Sequence, residues 1–331
     1  MSVNGSIVIE DGGRAALDAG VVRDGDVADS EALAEALRGL WRDHKDLDRR
    51  VRIGVANARI VMRTLYLPPI SDAKQLAAAV QFQAAEAIPM PLADAVLDFH
   101  ALGIEEGPDG PRQRIVLVAA RRDMILGMLT AARAAGLKPV GIDLSAFGMV
   151  RALQRQRRDG DSPELFVAVG GLTNLAISDR GDCVLTRIAG GGLESLAVEL
   201  AERREITPTE ARTWLHKVGL EGDLEETGES RSIAADAPAV LSSGVRRIGG
   251  EIRASLDFHQ GHAADGIGVG RVVLTGPAVA VRGFSSALTA ELDLEVEERV
   301  VSSSDAMNLS VLDSASLSVA AGLAVENAPA S

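Results

Sequence analysis

The sequence predicts an α/β protein of two related domains that face each other across a cleft, and three observations support this class. The chain has 331 residues, enough for about two domains of roughly 100–200 residues each. Hydrophobic residues make up 47% of it, which is sufficient for a sizeable core. Both halves begin with short strands and continue into helices, and the polar segment 159–163 separates the halves.

The first half opens with two apolar runs between residues 6 and 21 around a Gly-Gly turn, a pattern typical of a hairpin. Leucines at helical spacing predict a helix over residues 30–41. Strands are predicted at 51–55 and 60–67. The second of them ends at a Pro-Pro pair, because proline lacks the amide that strand pairing needs.

Residues 58–136 predict a compact strand–helix–strand–strand–helix block. Apolar residues recur at steps of four along its first helix, which is predicted to start at Ser71 and to end at Pro89. The remaining elements before the boundary are predicted as strands at 95–102, 114–120 and 138–143 and helices at 122–135 and 145–158.

The second half begins with three strands in quick succession. A run of three glycines at 190–192 opens the helix that follows, and Pro208 lies in the first turn of the next, where proline costs no backbone hydrogen bond. Acidic residues at 221–236 predict a solvated loop. The predicted strands are 164–169, 174–179, 183–188 and 271–275, and the predicted helices end at 203, 218, 259 and 325.

The composition excludes several classes of function. A formal net charge of -13 and only 3% aromatic residues argue against nucleic acid as a partner. The single cysteine cannot form an internal disulfide, which favours a reducing compartment. No apolar run approaches the ~18 residues that a spanning helix needs, and the N-terminus lacks the pattern of a signal peptide. We therefore expect a cytoplasmic protein without direct membrane insertion, which reaches any membrane through a partner.

Other candidate sites are weak. His259 and His262 are three residues apart, a spacing at which two histidines on a helix share a metal, but no third ligand is evident and a helix end explains them better. Asp98 and His100 share one face of a strand without a nucleophile tied to them by spacing. Cys183 lies in an apolar strand, which favours a core residue over a reactive thiol.

Segments in collinear order along nearly the whole chain resemble the type IV pilus assembly PilM family, a relative of the division protein FtsA in the actin-like ATPase superfamily. The resemblance implies an actin-like (ribonuclease H-like) two-domain fold with a small α+β subdomain inserted in the first domain. The segments that carry it are 27–33, 60–68, 75–89, 116–121, 135–143, 187–192, 274–276 and 320–324.

The resemblance also implies domain boundaries. Residues 1–57 and 137–162 would form the first actin-like domain, residues 58–136 the inserted subdomain, and residues 163–331 the second actin-like domain. In this family the first strand of the first domain precedes the hairpin at 6–21, so we expect the natural gene product to begin upstream of Met1.

The function that the resemblance implies is a scaffold on the cytoplasmic face of the inner membrane, within the type IV pilus assembly platform. Its partners would be a PilN-like single-span membrane protein, bound through that protein's cytoplasmic N-terminal peptide, and other platform proteins. The peptide would lie in a groove beside the inserted subdomain. Substitutions near Ile88 to Leu92 are expected to weaken the binding of this peptide.

Actin-like ATPases hold ATP and Mg²⁺ between two Asp-x-Gly phosphate loops, and the resemblance locates the second loop at residues 167–174. Gly170 matches the loop glycine there, but Ala168 stands at the acidic position. Arg212 and Leu215 stand where the family's adenosine-side Glu and Lys are expected. The adenosine-side Gly-Gly becomes Gly276-Pro277, which loses an amide donor.

These departures predict a degenerate nucleotide site, no bound metal, no required cofactor and no enzymatic activity. A register shift that brings Glu210 or Lys217 into the site stays open as an alternative, and so do ATP and Mg²⁺ by family resemblance. The residues that would form the vestigial nucleotide site are Gly170, Gly171, Thr173, Gly191, Gly192 and Gly276.

Two alternative functions differ in what the sequence should contain. A nucleotide-binding actin-like ATPase or a sugar-kinase-like enzyme needs paired acidic phosphate loops, and Ala168 argues against it. An FtsA-like division protein should end in a basic amphipathic helix, which residues 326–331 do not resemble.

Overall fold

The structure is a computed structural model in two units. The larger unit is made of Met1–Ala15, Leu40–Val55 and Val140–Ser331, and the smaller unit of Ala16–Gly39 and Ala56–Pro139. The predicted three-part domain division stays a prediction. The residues that the structure describes are 2–3, 6–18, 20–108, 110–155, 161–179, 181–222, 229–262, 268–305 and 307–325.

The described residues contain both strands and helices along the whole chain. The strands are β1 (Ser2–Val3), β2 (Ser6–Ile9), β3 (Val22–Arg23), β4 (Asp26–Val27), β5 (Arg50–Val55), β6 (Val61–Leu67), β7 (Ala95–Gly107), β8 (Gly110–Arg121), β9 (Lys138–Leu144), β10 (Glu164–Val169), β11 (Thr173–Asp179), β12 (Asp182–Ala189), β13 (Arg271–Thr275), β14 (Val296–Glu298) and β15 (Ser302–Ser303). The helices are α1 (Ser30–Asp43), α2 (Ala73–Ala87), α3 (Arg122–Ala134), α4 (Ser145–Leu153), α5 (Leu193–Arg204), α6 (Pro208–Val218), α7 (Glu229–His262), α8 (Phe284–Leu292) and α9 (Val311–Ala324).

A five-stranded sheet in the order β12-β11-β10-β13-β14 forms the core of the larger unit. The central pair β10 and β13 is parallel, whereas β10, β11 and β12 are antiparallel neighbours. Leu165, Val167 and Val169 on one face of β10 are fully buried in a cluster with residues of α5, α6, α7 and α8. The three strands predicted after the boundary are confirmed.

Strand β12 lies at the edge of this sheet, and a bulge interrupts it. Ile177 of β11 pairs with Leu185 and the next residue pairs with Cys183, so Val184 has no direct partner. The bulge bends the strand and increases its twist locally.

Helices α4 and α9 pack against each other and contact the opposite face of the sheet. The helices approach closely at Gly148 and Gly322, both buried, where a Cβ on Gly322 would collide with the Gly148 carbonyl. Only glycine permits this distance between the two backbones.

The predicted hairpin over residues 6–21 is wrong. β2 pairs instead with β1 and, in parallel, with β15, while residues 14–18 are exposed and have no regular structure. The hairpin lies further along, where β3 and β4 enclose Asp24-Gly25. Both turn residues have positive φ, 51° and 85°, as the type I′ turn that Asp-Gly favours requires. β5 and β9 form a separate two-stranded sheet.

The smaller unit contains a three-stranded antiparallel sheet in the order β6-β8-β7. The Asp72 carboxylate accepts from the Gln75 amide and so caps α2, and Ile88 ends this helix before Pro89. Val80, Ala84 and Ile88 bury the inner face of the helix against the sheet. The predicted strand–helix–strand–strand–helix order of this block is confirmed.

The predicted loop at 221–236 is partly wrong, because α7 already begins at Glu229 and continues through Pro238. Ala234 and Ala237 are buried in the core, so burial outweighs the acidic composition that predicted a solvated segment. Residues 223–228 lie outside the described residues. No helix in the described part of the chain has the length and apolar character needed to cross a bilayer.

Candidate functional site

The turn from β10 to β11 contacts the start of α5, which brings most of the predicted nucleotide-site residues together. The Leu193 amide, the first of α5, donates to the Gly170 carbonyl at 2.7 Å. The Thr173 hydroxyl donates to the Gly191 carbonyl at 2.8 Å. A Cβ on Gly192 would overlap the carbonyls of Gly170 and Gly171, so this approach requires glycine.

Gly276 completes the set from the adjacent parallel strand. It follows β13 with φ 81°, and a Cβ there would lie 2.9 Å from the Val169 carbonyl oxygen. The next residue, Pro277, lies against Gly170, 3.4 Å from the position of a Cβ on that glycine. The three glycine turns thus meet at the carboxyl ends of two parallel strands, where open α/β sheets bind ligands.

Three uncharged side chains on neighbouring strands, here called the neutral row, lie where a magnesium site would need an acidic residue. Ala168 of β10 pairs with Asn174 on one side and with Thr275 on the other. All three side chains are buried, and Asn174 Oδ1 and Thr275 Oγ1 have no hydrogen-bond partner in the described part of the chain. Mg²⁺ is usually held through one or two carboxylates, and none of these side chains is one.

The two positions on α6 that the resemblance implies for adenosine binding make other contacts. The Arg212 guanidinium binds the Glu194 carboxylate of α5 with both Nε and Nη2, at 3.0 Å and 2.8 Å. Leu215 is fully buried in the core. The bidentate pair fixes α6 to the first turn of α5.

The two charged residues that a register shift would recruit, Glu210 and Lys217, each make a contact within α6 or at its cap. Glu210 forms a capping box with Thr207, whose amide and hydroxyl both donate to it and hold the pKa of this carboxyl below its usual value. The Lys217 ammonium lies 4.6 Å from the centroid of the Trp214 ring.

The described residues do not fit magnesium-bound ATP in the arrangement that the resemblance implies. The glycine turns keep a shape suited to a close ligand, but the carboxylate and both adenosine-side groups are absent. Nowhere among the described residues do three His, Cys, Asp or Glu side chains gather in a way that could hold a metal ion.

His216 on α6 is a feature that the sequence did not reveal. Its Nδ1 is buried without a hydrogen-bond partner in the described residues, and burial lowers the pKa of the imidazole, helped by the charges of Arg14 and Arg212. Arg14 pairs with Asp313 of α9. No local sequence pattern indicates that these side chains lie together, because they come from residues 14, 212, 216 and 313.

The weaker candidates gain little from the structure. Burial lowers the pKa of His259 and leaves its Nε2 without a partner in the described residues, while the side chain of His262 lies outside them. The Asp98 carboxylate accepts from the Phe99 amide. The half-buried Cys183 thiol donates to the Leu185 carbonyl, and burial raises its pKa to about 12, which fits an unreactive thiol on an edge strand.

The segment predicted to affect partner binding lies where α2 ends in the smaller unit. Ile88 is buried in the core of this unit, so it is a structural residue. Met90 and Leu92 are half-buried and pack against the same core, with Leu92 in a short 3₁₀ turn before β7. Of the predicted segment, these two side chains are the better probes of a binding surface.

Known proteins with a similar fold include one pilus complex and two weaker matches. A solved structure described as a PilM-PilN type IV pilus biogenesis complex covers 92% of this chain and 88% of its own, with 24% identity and a TM-score of 0.73. The ethanolamine utilization protein EutJ of Carboxydothermus hydrogenoformans, 15% identical, covers 92% of this chain and 76% of its own with a TM-score of 0.48. ADP-bound MreB5 of Spiroplasma citri, 12% identical, covers 91% and 76% with a TM-score of 0.47.

The predicted α/β fold class is confirmed, because the chain shares the fold of the solved pilus complex. The family described as "Type IV pilus assembly protein PilM" matches residues 2–328, nearly the whole chain. The chain therefore belongs to the type IV pilus assembly PilM family.

Proposed function

We propose that this protein is a scaffold of the type IV pilus inner-membrane platform, which binds the cytoplasmic N-terminal peptide of a PilN-like single-span membrane protein. The observation that carries the proposal is the match to a solved PilM-PilN complex over 92% of the chain, within a family match that spans residues 2–328. The protein would lie at the cytoplasmic face of the membrane, held there by this partner and other platform proteins.

The test is a titration of the full chain with the fluorescently labelled N-terminal peptide of the PilN-like protein from the same organism. We expect a dissociation constant in the micromolar range or tighter, about -8 kcal/mol. Leu92→Ala is expected to weaken binding about tenfold, because the inserted subdomain loses an apolar side chain that would contact the peptide. Ile88 is not substituted in this test. Because it is buried, a substitution there would change the stability of the fold and not the binding surface alone.

Leu126→Ala is the matched control. Leu126 lies on α3 of the same unit and is 52% exposed, so the same truncation is made on a different surface. Equal affinity of the wild type and of Leu92→Ala would reject this location for the peptide, and no measurable binding at all would reject the proposed partner.

The same proposal assigns the chain no ATPase activity. Its support is the buried neutral row of Ala168, Asn174 and Thr275 in place of a magnesium-organising carboxylate. Calorimetry with ATP and with ADP, each with Mg²⁺ and with and without the peptide, is expected to give no nucleotide binding beside clear peptide binding. Tight nucleotide binding would overturn this part and leave the peptide result standing.

One observation favours the alternative, a nucleotide-binding actin-like ATPase or sugar-kinase-like enzyme. The turns around Gly170, Gly192 and Gly276 keep a glycine-dependent approach next to a helix N-terminus, the arrangement that receives phosphate in other proteins. ATP hydrolysis that rises with Mg²⁺ concentration would select this alternative.

A further inference from the structure

Residues 11–14 come shortly after β2 and have no regular structure, and side-chain contacts hold both ends of this segment. At the first end, Asp11 Oδ1 lies 3.0 Å from His44 Nδ1. At the second end, the Arg14 guanidinium donates to Asp313 in the first turn of α9, with Nε at 3.0 Å and Nη2 at 2.6 Å. Contacts of this kind can open locally while the sheet behind them stays folded.

The imidazole of His216 on α6 lies near the second end of the segment, in a place that suits a neutral ring. Its Nδ1 is buried and has no hydrogen-bond partner among the described residues. Burial lowers the pKa of this imidazole most, and the charges of Arg14 and Arg212 lower it further. A hydrogen bond with the backbone of Ala280 acts in the opposite direction but does not reverse the shift. A proton on His216 would therefore add a partly buried positive charge near two others.

Each of these two arginines has a carboxylate partner on another element. Asp313 of α9 holds Arg14. Glu194 of α5 holds Arg212 through Nε at 3.0 Å and Nη2 at 2.8 Å. The pairs fix both guanidinium groups near the imidazole, so the closed contact repels a charged His216. The pair of Arg14 with Asp313 is partly exposed, which makes it a weak hold on the segment. Two further cations lie at the last turn of α6, namely Lys217 and Arg282.

Of the two sides of this contact, the segment is held less firmly than α6. Residues 14–18 are exposed and have no regular structure. In contrast, Ala211, Leu215 and Val218 are fully buried and anchor α6 in the core of the larger unit. Because local opening begins with the least buried contacts, the segment should move away before α6 does.

We propose that His216 and residues 11–14 form an acid-sensitive contact, in which protonation of His216 releases the segment from α6. In the closed form the imidazole is shielded from water and stays neutral. When the segment moves away, water reaches the ring and the Arg14 charge withdraws, so the imidazole regains its ordinary pKa of about 6.5. Protons therefore favour the open form. The closed form is fully favoured above about pH 6.5 and is progressively lost as the pH falls below this value.

The experiment is electron paramagnetic resonance of the full chain with a nitroxide on Ala15→Cys, at about pH 7.5 and about pH 5.5. Ala15 is exposed and adjoins Arg14, so a released segment gives a more mobile spectrum. We expect the ratio of mobile to immobile label to rise about threefold to tenfold on acidification, because an imidazole that regains a pKa of about 6.5 on opening gains at most about tenfold over this range. Cys183→Ser removes the native thiol, and the same label at exposed Ala254 of α7 controls for an effect of pH on the nitroxide.

His216→Gln keeps a side chain that can donate to the Ala280 backbone but takes up no proton, so its ratio is expected to change by less than about twofold over the same pH range. His216→Lys is charged at both pH values and is expected to give the mobile spectrum at both. His100→Gln is the matched control, since it makes the same change at an exposed histidine of β7 and should respond like the wild type. Far-UV circular dichroism checks the folding of each variant, and the glutamine comparison does not depend on the lysine variant.

The proposal fails on any of three results. The wild-type spectrum could be the same at both pH values, or His216→Gln could respond to acid as the wild type does. Alternatively, His44→Gln could abolish the response while His216→Gln keeps it, in which case the contact of His44 with Asp11 at the other end of the segment is the acid-sensitive one.

Discussion

At the scale of single residues, the structure shows side chains committed to internal contacts where sequence comparison expects ligand contacts. Arg212 binds Glu194, Glu210 caps its own helix, and Ala168 lies in a buried row. The glycines of the site could be identified from the sequence, because the turns require them. The pairing of Arg212 with Glu194 could not, because it joins residues 18 positions apart on two helices.

Arg299 is the clearest residue-scale test of stability. Its guanidinium is 5% exposed and binds both Glu164 and Glu297, at 2.8 Å and 2.7 Å. Hydrogen bonding from Arg299 lowers the pKa of Glu297 to about 2. Because this pKa is below its unfolded value, the stabilisation is complete above about pH 4.5 and is lost as the pH falls toward 2.

Glu297→Gln is therefore expected to lower the free energy of unfolding by about 1–2 kcal/mol at pH 7 and to reduce the loss of stability between pH 5 and pH 3. Urea unfolding at both pH values measures this. Glu298→Gln, at the exposed neighbouring position, is the control and should behave like the wild type. A variant that loses as much stability on acidification as the wild type would contradict the assignment.

At the scale of elements, the packing of α4 on α9 depends on two glycines that no helix propensity favours. Gly322→Ala is expected to lower the free energy of unfolding by about 1–3 kcal/mol, because the new Cβ collides with the Gly148 carbonyl. The sign of this change identifies its cause. Without the collision, alanine would stabilise the helix by about 1 kcal/mol relative to glycine.

Gly250→Ala is the matched control for this substitution. Gly250 lies inside α7 with no atom within 4 Å of the added Cβ, so the same change is expected to stabilise the protein by about 0.5–1 kcal/mol. Thermal unfolding of both variants measures the difference. Two shifts of the same sign would show that α4 and α9 do not approach as closely as described.

Element prediction succeeded where the local pattern and the tertiary contacts agree. The strands β10, β11 and β12 and helix α2 were predictable, since apolar periodicity and turn residues mark them. The hairpin lies at Asp24-Gly25 and not over residues 6–21, because an Asp-Gly turn with positive φ at both residues outweighs the apolar residues near Ala15 that suggest a strand. The start of α7 was missed because its burial depends on distant core residues.

At the scale of the whole molecule, fold and family could be predicted from the sequence because the resembling segments run through nearly the entire chain. Ligand binding also affects the whole molecule. A ligand that binds only the folded chain raises the free energy of unfolding of that chain. The proposed function therefore predicts a difference between two ligands.

The PilN-like peptide at about 100 times its dissociation constant is expected to stabilise the protein by about 2.7 kcal/mol and to raise the melting temperature, whereas millimolar ATP with Mg²⁺ should leave it unchanged. Differential scanning fluorimetry measures both on the same sample. A scrambled peptide of equal composition is the control. A melting temperature that rises with ATP and Mg²⁺ but not with the peptide would contradict the proposed ligand preference.

The bulge at Val184 has a consequence for the behaviour of the protein at high concentration. Among the described strands β12 is an edge strand of the large sheet, and an uninterrupted edge of eight residues would template intermolecular β-pairing and aggregation. The bulge breaks the spacing of its amides and carbonyls, so an incoming strand cannot stay in register along it. An edge interrupted in this way templates amyloid-like stacking less readily when the protein is concentrated.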